Sequence, residues 1–126
     1  MKKLITFAFV CTMFSSLVGA TEVNHFKGAA SPDLKSALCN LQNFDKKMAK
    51  LVGKKKMEME DLAEIHELTY TLEVAVQKVQ SELNVVAEEL EKAHKGSEVL
   101  AEAKVKKAAQ EYLDRTKLLT SKLQCK

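Results

Sequence analysis

The chain has 126 residues, with 20 basic and 17 acidic side chains, a single arginine and no tryptophan. Charges of both signs are interleaved along it, and no basic patch carries the aromatic residues that stack on bases, so the composition argues against nucleic acid as a partner. The length suffices for one small domain with one modest core.

Residues 1–20 have the pattern of an export signal. Lys2 and Lys3 precede an apolar run over residues 4–18. The small residues Gly19 and Ala20 then form the expected cleavage site. The run is shorter and more polar than the roughly 20 apolar residues of a membrane-spanning helix. We therefore expect cleavage after Ala20, a periplasmic location and no stable membrane anchor for the mature chain.

Two of the three cysteines remain after cleavage. Cys11 lies within the apolar run, without the small residues that precede a lipidated cysteine. Cys39 and Cys125 form an even pair, and an oxidising periplasm favours a disulfide between them. An intermolecular bridge and two free thiols are the alternatives that the sequence leaves open.

The first predicted helix follows an irregular lead-in over residues 21–30 and opens the helical domain over residues 31–126. Ser31 is expected to cap it, with Pro32 in the first helical position and Asp33 facing the positive end of the helix dipole. Gly53 ends it. The apolar residues of this helix recur at steps of three and four: Leu34, Leu38, Leu41, Phe44, Met48 and Leu51.

The second predicted helix opens on acidic residues at Glu58 and runs to His94, with Gly96 as a left-handed cap and Ser97 starting the next helix. Two consecutive steps of four, through Val79, predict a stutter that relaxes supercoiling and leaves the helix nearly straight. Its apolar stripe is Ile65, Leu68, Leu72, Ala75, Val79, Leu83, Val86, Leu90 and Ala93.

A third helix begins near Glu98 and carries apolar residues from Val105 to Leu123. Connections of a few residues place consecutive helices antiparallel. The sequence therefore predicts an all-α fold, an antiparallel three-helix bundle with a long middle helix. Cys39 lies away from the apolar stripe of its helix, so a bridge requires Cys125 to lie beyond the regular end of the third helix, or on its flank.

Two segments carry a resemblance to a known family. His25-Phe26-Lys27-Gly28 and the run from Asp61 to Glu73, DLAEIHELTYTLE, resemble a family of small exported helical gammaproteobacterial proteins of unknown function. The resemblance implies a signal peptide and a helical domain, with no activity, cofactor or functional residue attached to it.

The long helix carries one candidate polar site. His66 lies beside the apolar stripe, with Glu67 adjacent and with Tyr70 and Glu73 one and two turns on. A small functional site is one interpretation. A solvated flank is the interpretation that we favour, because no second element converges on these residues.

A candidate copper site comprises Met48, Met57, Met59 and His66, which the predicted heights bring near one end of the bundle. Thioether and imidazole groups suit Cu(I). Because Met48 falls on the apolar stripe and methionine often fills gaps in cores, packing is the favoured interpretation.

No serine or cysteine can be paired with a histidine and a carboxylate in a known catalytic order, and no glycine-rich loop could hold a phosphate. The last helix lacks a histidine and no Cys-x-x-Cys-His motif is present, which argues against haem. The chain is thus expected not to be an enzyme and to bind no cofactor.

The predicted tip of helices two and three extends past the first helix, so apolar residues there are expected either to cover one another or to seek a partner. The sequence therefore favours a non-enzymatic protein acting by contact, with a protein partner or a homodimer, and a metal or small-ligand binder as the alternative. The predicted contact residues are Val85, Val86, Leu90, Val99 and Leu100.

Overall fold

The computed structural model describes residues 26–125, so the predicted export signal, His25 and Lys126 lie outside the described part. Three helices follow in order: α1 (Leu34–Val52), α2 (Met59–Glu98) and α3 (Glu102–Thr120). The predicted all-α bundle with a long middle helix is confirmed. None of these three helices combines the length and apolarity that crossing a membrane requires.

Helix α1 begins at Leu34, two residues later than a start at Pro32 predicts. Asp33, not Ser31, is the N-cap, and its carboxylate accepts the backbone N–H of Ser36 at 2.7 Å. That hydrogen bond lowers the pKa of Asp33. Ser31 instead accepts a hydrogen bond from the Asn40 side chain, which removes it from the cap. Gly53 is the C-cap, as predicted, with right-handed backbone angles.

Asp61 organises the connection between α1 and α2. Its carboxylate accepts from the ammonium group of Lys54 and, at 3.0 Å, from the backbone N–H of Glu58, the N-cap of α2. These bonds, the Lys54 bond foremost, lower the pKa of Asp61. The acidic start predicted for this helix is confirmed.

The predicted break at Gly96 is wrong, because α2 continues through Gly96 to Glu98. Gly96 is buried, and a Cβ there would lie 3.0 Å from a methyl carbon of Val105, so glycine serves close packing against α3. The left-handed position falls on Leu100, with φ 54°, in the turn that reverses the chain.

Most of the buried and half-buried positions along α2 form one unbroken seam, the line of side chains that faces α1 and α3. Its members alternate steps of four and three from end to end, the pattern of a left-handed coiled coil. The predicted stutter is therefore wrong: Glu82 and Glu89 occupy the seam, while Leu83 and Leu90 are 45% and 52% exposed. The seam residues are Asp61, Ile65, Leu68, Leu72, Ala75, Val79, Glu82, Val86, Glu89, Ala93 and Gly96.

Helices α1 and α3 each pack against α2, on different halves of it. Lys54, just past α1, pairs with Asp61, and Arg115 of α3 pairs with Glu82. Both short helices run antiparallel to α2, so α3 and then α1 follow the same line along the seam. The fold is a two-stranded antiparallel arrangement in which one strand is continuous and the other consists of two pieces.

The cysteines join those two pieces. The sulfurs of Cys39 and Cys125 lie 2.15 Å apart, at disulfide distance, and their Cα atoms are 5.3 Å apart. Since α3 ends at Thr120, Cys125 lies in the non-helical segment after it, as the position of Cys39 predicted. The geometry fits the intramolecular pairing among the three alternatives, closing 86 residues of chain.

Candidate interaction surface

Glu82 is the seam residue through which α2 forms an ion pair with α3. Its carboxylate lies 2.8 Å from Lys78 of the same helix and 2.8 Å from Arg115 of α3. Lys78, then Arg115, lower the pKa of Glu82. A carboxylate can occupy this position because both cations neutralise it; unpaired, it would be costly to desolvate.

This ion cluster predicts an acid-sensitive contribution to stability. Because the folded state lowers the pKa of Glu82, the stabilisation is present above the unfolded-state pKa and is lost as the pH falls through the lowered value. Replacing Glu82 with glutamine is expected to cost about 1 kcal/mol at pH 7, with the difference from wild type shrinking below about pH 4. Urea unfolding of both proteins from pH 3 to 7 measures this, and a difference constant with pH would contradict it.

Because Glu82 and not Leu83 occupies the seam, Leu83 belongs to a second line of side chains along α2, which we call the α2 stripe. Its members again alternate steps of four and three, and none of them carries a charge. The exposed fractions of Val76, Leu83 and Leu90 are 44%, 45% and 52%. The stripe consists of Val76, Gln80, Leu83, Ala87 and Leu90.

The opposite side of the α2–α3 pair is charged. An open groove of about 620 Å³ lies there, with Gly96 and Ala108 among its lining residues. Its charged lining residues are Glu89, Lys92, Lys95, Lys104, Lys107 and Glu111. The two sides of the molecule thus differ sharply, and the apolar side is the one suited to protein contact.

A segment that we call the strap, residues 26–31, covers the other half of the charged side. Its Gly28 backbone lies directly on α2, where a Cβ would stand 2.6 Å from the carbonyl carbon and oxygen of Tyr70. The Ala29 N–H donates to the hydroxyl of Thr71 at 3.0 Å, and Thr71 is 1% exposed. Asn40 of α1 donates to the carbonyl oxygen of Ala30. The strap therefore ties α1 to α2 and leaves the α2 stripe uncovered.

The residues predicted as a contact surface do not share one side. Val86 belongs to the seam, Leu90 to the α2 stripe, and Val85 lies half-buried on the charged side. Val99 and Leu100 are 71% and 91% exposed at the turn. The hydrophobic pattern does not predict Val76 and Leu83 as contact residues, because it places Leu83 in the seam. The repeat of seven residues from Val76 through Leu83 to Leu90 is the signal that identifies the stripe.

Of the polar residues predicted to form a site with His66, the structure brings Tyr70 into contact with it. The Nε2 atom of His66 lies 3.2 Å from the Tyr70 hydroxyl, and the ring of Tyr70 also lies near that of Phe26. Glu73 instead accepts a hydrogen bond from Gln77, and Glu67 is exposed.

The proposed copper ligands occupy different environments. Met48 is half-buried on the apolar stripe of α1, whereas Met57 and Met59 are 42% and 81% exposed at the start of α2. His66 is exposed and contacts Tyr70. Across residues 26–125, no group of three or more histidine, cysteine or acidic side chains could hold a metal. Copper binding through the methionines stays a prediction, which a Cu(I) titration tests.

Comparison with known proteins gives one match. The model of a family of unknown function (DUF6746) matches residues 1–121. The chain belongs to this family. Neither the curated proteins nor the solved structures include a match to it. The predicted resemblance to a family of unknown function is thereby confirmed at that level, and the family assigns no function to the α2 stripe.

Proposed function

We propose that this member of the family is an exported, non-enzymatic protein that acts by protein contact in the periplasm, as a scaffold, adaptor or chaperone-like module. The α2 stripe is the observation that carries the proposal. Its exposed valine and leucines lie in one uncharged line, on the side of α2 that neither the strap nor the lysine-lined groove occupies.

The stripe has the form of a helix-docking surface. Residues at alternating steps of three and four lie along one side of a helix, where they can receive the side chains of a second helix. From Val76 to Leu90 the stripe is about 21 Å long at 1.5 Å per residue. That length is enough for several turns of a partner helix.

Export is supported by the sequence and by the extent of the family match. The match begins at residue 1 and so includes the segment with the pattern of an export signal. Cys39 and Cys125, at disulfide distance, suit an oxidising compartment. Both observations favour a periplasmic site of action.

Site-specific photo-crosslinking in cells tests the proposal. A benzophenone amino acid at Leu83 is expected to yield discrete protein adducts on irradiation. The matched control is Ser81, which is exposed on the charged side of the same turn of α2 and is expected to give few adducts. Absence of adducts from Leu83, or equal yields from both positions, would count against action through the stripe.

A further inference from the structure

We propose that the α2 stripe binds a second copy of this chain, with the two α2 helices antiparallel and Leu83 of each copy meeting on the two-fold axis. This inference rests on the proposed function, because it names the partner of the same surface. The arrangement is a four-stranded assembly of two copies, in which the apolar sides face one another.

The spacing of the stripe residues is the reason for proposing a second copy as the partner. Val76 and Leu90 lie seven residues before and seven residues after Leu83. A two-fold axis at Leu83 therefore places Val76 opposite Leu90 of the second copy, and Gln80 beside its Ala87. An isologous contact requires this self-complementarity, whereas a surface that binds an unrelated helix does not.

The residues that extend the stripe favour the antiparallel direction. Continuing the steps of three and four reaches Glu73 at one end and His94 at the other. The antiparallel arrangement brings Glu73 near His94 of the second copy, whose Nε2 atom lies 3.3 Å from Glu98 of its own helix. A parallel arrangement would instead oppose Glu73 with the same carboxylate, which is unfavourable.

The small apolar interior of one copy means that binding a second copy would bury additional apolar area. The structure describes six buried apolar residues, three of them alanine. Two helices side by side share only one seam, so a second layer is needed to bury more apolar area. Leu113 of α3, 56% exposed, lies on the stripe side of that helix and would extend the contact. The six residues are Leu34, Ala37, Leu51, Leu68, Ala75 and Ala108.

The charged side does not suit self-association. Lys92, Lys95, Lys104 and Lys107 surround its groove. A two-fold contact there would place these lysines, with Glu89 and Glu111 beside them, in an interface where charged groups are costly to desolvate. The stripe is therefore the side that self-association would use.

Analytical ultracentrifugation of the exported protein tests the dimer. Wild type is expected to be dimeric at micromolar concentration. Leu83→Glu places two carboxylates on the axis and is expected to weaken the dimer by roughly a hundredfold or more. Ser81→Glu, the matched control on the charged side, is expected to stay dimeric. Circular dichroism checks that both variants keep their helices.

Disulfide trapping tests the direction of packing. Leu83→Cys is expected to crosslink to itself under mild oxidation, while Val76→Cys crosslinks to Leu90→Cys in a mixture and not to itself. A monomeric wild type at 100 micromolar, a dimer that persists in Leu83→Glu, or self-crosslinking of Val76→Cys would each overturn the proposal. A monomer that still gives adducts from Leu83 to another protein would leave the proposed function intact and remove only the dimer.

Discussion

Replacing Cys125 with serine is expected to lower the free energy of unfolding by about 4 to 5 kcal/mol, since the pair closes 86 residues of chain. In the loop-entropy account, losing so long a closed loop greatly enlarges the conformational freedom of the unfolded chain. This is a large share of the total stability of a small domain.

The architecture adds a second consequence of losing the bridge. Since α1 and α3 pack on different halves of α2, the Cys39–Cys125 pair is a covalent cross-link between α1 and the segment that follows α3. Without it, we expect the α1 half and the α3 half to unfold less cooperatively. In the variant, amide hydrogen exchange should then show that α1 opens locally, at a lower free energy than global unfolding.

Urea unfolding of wild type, Cys39→Ser, Cys125→Ser and the double variant measures the effect. If the two cysteines act only as a pair, both single variants and the double variant lose the same stability. Additive losses would instead assign the effect to separate side-chain contacts. Alkylation gives an independent check: both thiols are expected to resist the reagent until reductant is added, and thiols that react in the non-reduced protein would contradict the bridge.

The helices could be predicted from the sequence because burial in this fold follows a local period. Leu34, Leu41 and Leu51 recur on one side of α1, and Gly53 ends it. Such spacing identifies a helix without knowledge of its partner. The long, uninterrupted α2 and its acidic start follow from the same local information.

The contents of the seam could not be predicted in this way. Hydrophobicity alone places Leu83 in the seam and Glu82 outside it. The structure reverses them because Glu82 contacts Arg115, which lies 33 residues further along the chain. A charged residue in a seam becomes favourable only once its partner helix is positioned, and no local pattern contains that information.

The roles of the glycines also depend on tertiary contacts that no local pattern contains. Gly96 has the sequence context of a helix cap, but its small size allows close packing against Val105 inside the helix pair. Leu100 takes the left-handed position instead, although leucine gives no sequence signal for it. Gly28 falls in a segment singled out by its resemblance to a family, while the reason for a glycine there is a tertiary contact.

The contact of Gly28 with the α2 backbone leads to the second prediction of a large loss of stability. Gly28→Ala is expected to lower the free energy of unfolding by about 1 to 3 kcal/mol, because the new Cβ would overlap the backbone of α2. The nearest atoms are the carbonyl carbon and oxygen of Tyr70, each 2.6 Å away, and the nitrogen of Thr71, 2.8 Å away. Backbone atoms inside a helix cannot move aside as a flexible side chain can, so the strap must shift or detach.

Urea unfolding and exchange of the Ala29 amide, which donates to Thr71, report the two parts of the effect. Lys27→Ala, an exposed neighbour in the strap, is the control and is expected to change neither. Thr71→Ala should not rescue Gly28→Ala, because the overlap is with backbone. If Gly28→Ala kept full stability and a protected Ala29 amide, the strap would not lie on α2 as described, and the link that it makes between α1 and α2 would have to be abandoned.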